Sequence, residues 1–311
     1  MPCFKPLKGF RSRFKNKNGN YPITFKEDEA FFHRPVTLPC SQCIGCRLER
    51  SRQWAMRCVH EASLYENNCF ITLTYNNDKL PADGSLNLKH FQDFMKRLRK
   101  KYGSGIRFFH CGEYGERFFR PHYHACLFNH DFNDREFFTS NNGVPLYTSE
   151  SLDSLWCDPV DKKSFGFATV GDVTFDSAAY VARYIMKKVT GDLADFHYFR
   201  HLDVETGELL PIKPEYITMS RRPGIGKEWL DSFIDDVYPS DFVTLNGRKM
   251  RPPKYYDTQY ELLYPDEFAK LKKLRVKSAS VFSDNNTPER LQVREYVTQR
   301  NLDLLIRPLD N

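Results

Sequence analysis

Hydrophobic and polar positions recur along this chain with two different periods, and the switches between them outline its elements. From Arg47 to about Glu66, Trp54, Cys58, Ala62 and Tyr65 recur at spacings of three and four, with Arg47, Arg50, Arg52 and Arg57 elsewhere around the turn, which predicts an amphipathic helix. Phe70 to Tyr75 alternates large apolar residues with Thr, the pattern of a strand with one buried face, and Asn76, Asn77 and Asp78 end it. Leu88, Phe91, Met95 and Leu98 mark a second helix running to about Lys101. Its last turns carry Lys96, Arg97, Arg99, Lys100 and Lys101, which complement the helix dipole. Residues 106–114 and 121–128 read as a β-hairpin joined by a loop from Gly115 to Arg120, and residues 129–164 as polar loop with short elements. Residues 165–173 form another strand pattern. Asp176 is placed to cap a helix that runs to about Val189 and closes at Gly191. Further helices are expected near 259–275 and 288–302, the last opened by Thr287 and Pro288.

The order helix, strand, helix, hairpin, strand, helix predicts an α+β fold, a largely antiparallel sheet with helices packed on it. With 311 residues, 41% of them hydrophobic, the chain can bury one main core and carry appendages. The expected division is a basic, Cys-rich arm over 1–47, a core over 48–200, and an extension of basic loops and helices over 201–311. A net charge of +6 is only mildly basic, so its clustering says more. Residues 1–17 hold Lys5, Lys8, Arg11, Arg13, Lys15 and Lys17 with no acid, interleaved with Phe4, Phe10 and Phe14. That suits an arm gripping a nucleic-acid backbone, and equally a solvated terminus. No apolar run approaches the roughly 20 residues of a spanning helix and no secretory signal stands out, so a soluble intracellular protein without a membrane partner is expected. Nine cysteines, an odd number, then read as reduced thiols or metal ligands.

Three groups of residues carry chemistry. Cys40, Cys43 and Cys46 have the tight spacing that lets thiolates converge on one metal, a structural Zn²⁺ being the natural choice beside ordinary free cysteines. Cys3 is the first candidate for the fourth ligand, with Cys58 and His60 as alternatives. His122 and His124, two apart on a strand, point to one face and make half of a metal site. Glu113 on the preceding strand is the obvious third donor. Imidazoles with a carboxylate suit Mn²⁺ better than Mg²⁺, and both stay open. On the helix after Asp176, Ala178, Val181, Ala182, Ile185 and Val189 gather on one stripe at about 100° per residue, which leaves Tyr180, Tyr184, Lys187 and Lys188 on the side away from it. A deprotonated tyrosine is a competent nucleophile for a phosphodiester when a cation neutralises the phosphate.

Phe70 to Tyr75, Pro121-His-Tyr-His124 and Tyr180-Val-Ala-Arg-Tyr184 with Lys187 resemble the three motifs of the HUH endonucleases, in the order found in rolling-circle replication initiators. Pro39 to Arg47, Cys111 to Gly115, Tyr180 to Lys188 and Met219 to Gly226 narrow the resemblance to the initiators of gokushovirus-type microviruses, small circular single-stranded DNA phages. It covers about residues 1–230. The resemblance implies a central five-stranded antiparallel sheet with an RRM-like core, the His pair on its middle strand and the tyrosine helix alongside. It implies His122 and His124 as metal ligands, Tyr180 and Tyr184 as paired nucleophiles, and Lys187 at the phosphate, with Glu113 as third ligand at a position whose residue type varies across such enzymes. Arg183, Lys188, Arg221 and Arg222 are the expected DNA contacts. The implied function is nicking of a single-stranded viral origin, leaving a 5′-phosphotyrosine and a free 3′-OH, then rejoining, in the host cell cytoplasm. The absence of a Walker-type segment leaves unwinding to a host helicase and synthesis to a host polymerase. A relaxase or transposase on the same core, and a non-catalytic zinc-containing nucleic-acid-binding protein, are the alternatives.

Overall fold

The computed structural model describes residues 3–115, 118–141, 143–183, 193–202 and 207–304. They fall into two units, Met1–Arg50 with Lys273–Ile306, and Ser51–Lys272. In the smaller unit, β1 (Leu7–Ser12), β2 (Ile23–Thr24) and β3 (Ala30–Leu38) form an antiparallel sheet in the order β2-β1-β3. The first helix, α1 (Ile44–Ala62), opens inside the Cys motif, three residues earlier than its periodicity suggests, and runs on into the larger unit.

The larger unit is built on β4 (Asn68–Leu73), α2 (Leu88–Tyr102), β5 (Arg107–Tyr114), β6 (Pro121–Phe128), β7 (Glu136–Asn141), β8 (Val144–Thr148), α3 (Glu150–Leu155), β9 (Ala168–Gly171) and α4 (Phe175–Arg183). Then come α5 (Leu193–Tyr198), the short pair β10 (Phe199–Leu202) and β11 (Leu209–Pro211), and β12 (Tyr216–Met219). α6 (Lys227–Val237), the hairpin β13 (Val243–Leu245) and β14 (Arg248–Met250), α7 (Lys254–Leu263), α8 (Pro265–Ser280) and α9 (Pro288–Asp303) complete the chain. α8 crosses into the smaller unit at Lys273, and α9 belongs to that unit. Among the described residues no helix is long and apolar enough to cross a membrane.

Among the described residues the main sheet has seven strands in the order β12-β5-β6-β4-β9-β8-β7, where five were expected. The sequence pattern locates four of them, and the other three lie in segments with weak alternation. β7 and β8 lie in the stretch taken as polar loop, and β12 is a four-residue strand with every side chain half-buried, so no period shows. The histidine strand, β6, is third of the seven, flanked by β5 and β4. The strand expected over 165–173 is regular only over Ala168–Gly171, because Gly166 at φ +156 approaches the backbone of Asn76 too closely for any Cβ. Asp176 does not cap α4. Thr174 does, its hydroxyl accepting from the Ser177 amide at 3.1 Å while the Ser177 hydroxyl accepts from the Thr174 amide at 2.8 Å. The helix expected over 259–275 is two, split at Pro265, which opens α8. Thr287 and Pro288 start α9 as expected, Thr287 accepting from the Arg290 amide.

Alternation in the sheet sorts its residues into two cores. Ile71, Leu73, Tyr123, Ala125, Leu127 and Val170 face one way, against Phe91, Phe94, Met95 and Leu98 of α2 and Trp156. Phe70, Phe109, Cys111, Cys126 and Phe128 face the other, beneath Ala55 and Cys58 of α1 and Ala178, Val181 and Ala182 of α4. A third cluster joins Met56 of α1 to α6, α7 and α8. At its edge His60 stacks on Trp229 with ring centroids 3.5 Å apart, and its Nδ1 lies 2.9 Å from the Tyr256 hydroxyl. Burial pushes the His60 imidazole down to about 3. It is therefore neutral when folded and takes up a proton near 6.5 when unfolded, so its contribution is complete above 6.5 and is lost as pH falls toward 3. Urea unfolding at pH 7 and pH 5 is expected to show His60→Phe losing about 2 kcal/mol less stability than the parent over that interval, at about 1.4 kcal/mol per pH unit.

Candidate functional site

Register places the chemistry. β5 and β6 pair so that Glu113 stands opposite His122 and Cys111 opposite His124, and β4 pairs with β6 so that Thr72 stands opposite His124. Directly opposed residues share a face, so Glu113, His122, His124 and Thr72 all look toward α4. Glu113 Oε1 lies 2.9 Å from His122 Nε2 and 3.0 Å from His124 Nε2. Glu113 and His124 are buried and His122 is half-buried. Burial pushes the Glu113 carboxyl up, but the hydrogen bonds and charge of the two imidazoles outweigh it and hold the group at about 2.

The other ring nitrogens are also engaged. His122 Nδ1 is 3.1 Å from the Arg120 carbonyl, and His124 Nδ1 is 2.9 Å from the Thr72 hydroxyl. A bond from Nδ1–H to a carbonyl fixes the tautomer that leaves Nε2 to bind a metal. The three donor atoms converge within 4.8 Å, and two imidazoles with one anionic oxygen form a donor set that fits a divalent cation. Neither the Thr72 hydroxyl nor the Arg120 carbonyl follows from the sequence motif. The alternation Phe70-Ile-Thr72 puts Thr72 on the right face, and only the register brings it to His124.

Tyr180 completes this cluster. Its ring stands edge-on to His124 with centroids 5.0 Å apart and edge-on to Phe70 at 6.4 Å, while Phe70 stacks on His124 at 5.6 Å. The Arg183 guanidinium lies 5.4 Å from the Tyr180 ring centre. This overturns the facing read from helical periodicity, which put Tyr180 away from the packing stripe. Tyr180 is 3% exposed and packs with Ala178, Val181 and Ala182. The physical reason is that α4 lies against β5 and β6 and buries Ser177, Ala178, Tyr180, Val181 and Ala182, a wider arc than one apolar stripe. The face that carries Glu113, His122 and His124 is also the packing face. Tyr184, Lys187 and Lys188 lie outside the described residues. Arg221 and Arg222 are exposed in the turn after β12, where Ser220 pairs with Phe108. That is the far end of β5, about 17 Å from Glu113 at strand rise, so they are not part of this cluster.

A second cluster sits in the smaller unit. Cys3, Cys40, Cys43 and Cys46 bring their sulfurs within 4.8 Å of one another, none of them in a disulfide. Cys3 and Cys43 sulfurs are 4.0 Å apart, close to the edge of about 3.8 Å that a tetrahedron with 2.3 Å metal–sulfur bonds requires. Backbone amides point at the sulfurs: Phe4 N to Cys43 at 3.3 Å, Cys40 N to Cys3 at 3.2 Å and Cys43 N to Cys40 at 3.2 Å. Burial pushes the Cys43 thiol up, and hydrogen bonds from the backbone of Phe4 and Cys46 more than reverse this, leaving it at about 7. Cys3 is thus the fourth member of the group. Cys58 is instead buried under the main sheet and His60 against Trp229.

Residues 68–189 match the family model of the replication-associated protein ORF2/G2P, a span that contains every residue of the Glu–His–Tyr cluster. Over 280 residues the chain is 32% identical to the replication-associated protein VP4 of Bdellovibrio phage phiMH2K, covering 86% of this chain and 80% of that one. It is 32% identical over 288 residues to the replication-associated protein ORF2 of Spiroplasma virus 4, covering 86% and 83%. It is 30% identical over 261 residues to the replication-associated protein ORF4 of Chlamydia phage 1, covering 79% and 60%. No solved structure gives a significant match.

Proposed function

Because this chain belongs to the family of phage replication-associated proteins, we propose that it starts rolling-circle replication by nicking a single-stranded viral origin through tyrosine attack, and later rejoins the strand. The observation that carries this reading is Tyr180 standing edge-on to His124 inside the Glu113–His122–His124 group. A nucleophile beside three convergent donors is what phosphodiester transfer needs.

In this reading Tyr180 and Tyr184 are paired nucleophiles, used in alternation. The tyrosine oxygen bonds to phosphorus as the bond from phosphorus to the 3′-oxygen breaks. The phenolic proton is given up, and the departing oxygen takes one up to become a 3′-OH. One ester replaces another, so the reverse step rejoins the strand. Glu113, His122 and His124 would hold Mn²⁺ or Mg²⁺. Such an ion supplies positive charge at the scissile phosphate when bound. Thr72 and the Arg120 carbonyl orient the two imidazoles, and Lys187 adds a cation at the phosphate. Arg183 and Lys188 steer the strand toward the tyrosines, with Arg221 and Arg222 as a more distant contact. The four cysteines would hold a structural Zn²⁺ that orders the N-terminal arm. Unwinding and synthesis fall to host helicase and polymerase in the host cytoplasm. The HUH architecture is the fold expected to underlie this chemistry.

The test is incubation with single-stranded origin DNA and Mn²⁺ followed by a denaturing gel. A covalent protein–DNA band that chelator abolishes is the expected result. Absence of the band across metals and origin segments would sink the nicking role.

A further inference from the structure

The open end of the α4-facing side of the sheet carries two exposed rings in line with the metal-ligand group. Thr74 continues β4 past Leu73, and its amide and hydroxyl both donate to the Phe167 carbonyl, at 3.0 and 2.7 Å. The same register that pairs Thr72 with Thr169 therefore sets Phe167 beside Thr74, in the row that holds Glu113 and His122. Two strand spacings separate His122 from Phe167, about 10 Å. Phe167 is 43% exposed and Phe138, at the bulge of β7, is 53% exposed. Their rings meet at 5.0 Å with a 55° tilt. Phe137, the next residue, turns the opposite way, toward Tyr147. Thr74, which bonds to Phe167, and Thr139, which follows Phe138, set polar groups beside the two rings. On the same rim the Arg120 guanidinium donates to the Tyr75 carbonyl at 2.7 Å and to Asn77 at 2.6 Å, a cation beside the row.

We propose that Phe138 and Phe167 form a stacking platform for unpaired DNA bases beside the scissile phosphate, with the rim cation Arg120 facing the backbone; this rests on the nicking function proposed above. Exposed rings beside polar groups and a cation are the elements of single-strand binding, because every base offers a face to stack and a duplex hides it. The seventh strand, β7, thereby has a use: it brings the second ring.

Binding of a fluorescein-labelled single-stranded oligonucleotide of mixed sequence is measured by anisotropy with no Mn²⁺ or Mg²⁺ added, so that no cleavage takes part and the N-terminal cysteine cluster is left undisturbed. Phe138→Ala and Phe167→Ala are each expected to bind roughly 5- to 150-fold more weakly. Phe137→Ala, at a ring more exposed than either but on the other face, is expected to bind as the parent does, and Phe167→Trp to restore binding. The corresponding duplex is expected to bind all forms alike. Parental affinity in both alanine variants overturns the platform, as does an equal loss on duplex or in Phe137→Ala. The nicking role fails separately: a wild-type protein that forms no adduct with Mn²⁺ but still shows these differences keeps the platform and loses the chemistry. Adduct formation with parental binding in both alanine variants does the reverse.

Discussion

His124→Ala is expected to lower strand cleavage by at least about 100-fold at saturating DNA while the protein stays folded. His124 holds three contacts at once. Its Nε2 lies 3.0 Å from Glu113, its Nδ1 lies 2.9 Å from Thr72, and its ring packs between Phe70 and Tyr180. Removing it takes away one of three donors and also the surface against which Tyr180 is held. Glu113→Gln separates these two effects, because it keeps the shape and removes the only anionic donor of the three. It also leaves a buried group between two imidazoles that no longer hold a carboxylate at about 2. Cleavage rate measured against Mn²⁺ concentration is the discriminating readout. If both variants need no more Mn²⁺ than the parent and lose activity only in proportion to unfolded protein, the triad is structural.

The second large effect concerns stability. Cys43→Ser is expected to remove one zinc per chain and to unfold the segment that Cys43 organises, since a structural Zn²⁺ site is worth about 10–16 kcal/mol of binding free energy. Cys43 accepts from the Phe4 amide, and Phe4 packs in turn with Cys3, Cys46 and Leu291 of α9. The chain at Phe4 and the last helix at Leu291 therefore meet at one cluster. Metal analysis of the purified protein, with limited proteolysis before and after chelation, is the check. Early cleavage near residues 3–40 and in α9, with the main sheet intact, is the expected pattern. A protein purified without zinc whose proteolysis ignores chelator would identify the four sulfurs as ordinary buried thiols.

What the sequence discloses follows how local the determining physics is. His122 and His124 are legible because strand alternation alone puts them on one face, and Glu113 because a hairpin returns along its partner. Cys40, Cys43 and Cys46 are legible from spacing. Cys3 as their companion needs a contact spanning 37 residues, which a turn-like setting suggests and only packing decides. Tyr180 shows where periodicity misleads. A stripe drawn from Ala178, Val181 and Ala182 treats tyrosine as outward, yet a helix lying flat on a sheet buries a wider arc, and Tyr180 falls within it. β7, β8 and β12 are hidden because none sustains an alternation: a bulge interrupts β7 after Phe137, Pro145 sits inside β8, and every side chain of the short β8 and β12 is half-buried.

Whether Tyr180 or Tyr184 is the nucleophile proposed above is decided by mass analysis of the covalent DNA adduct after nuclease and trypsin digestion. Trypsin cuts after Arg183, so it separates the peptide 164–183, which contains Tyr180, from the peptide 184–187, which begins with Tyr184. A residual nucleotide on Tyr180, on Tyr184, or divided between the two is the result expected here. A nucleotide on any other residue, or an adduct that persists in the Tyr180→Phe, Tyr184→Phe double variant, would contradict it.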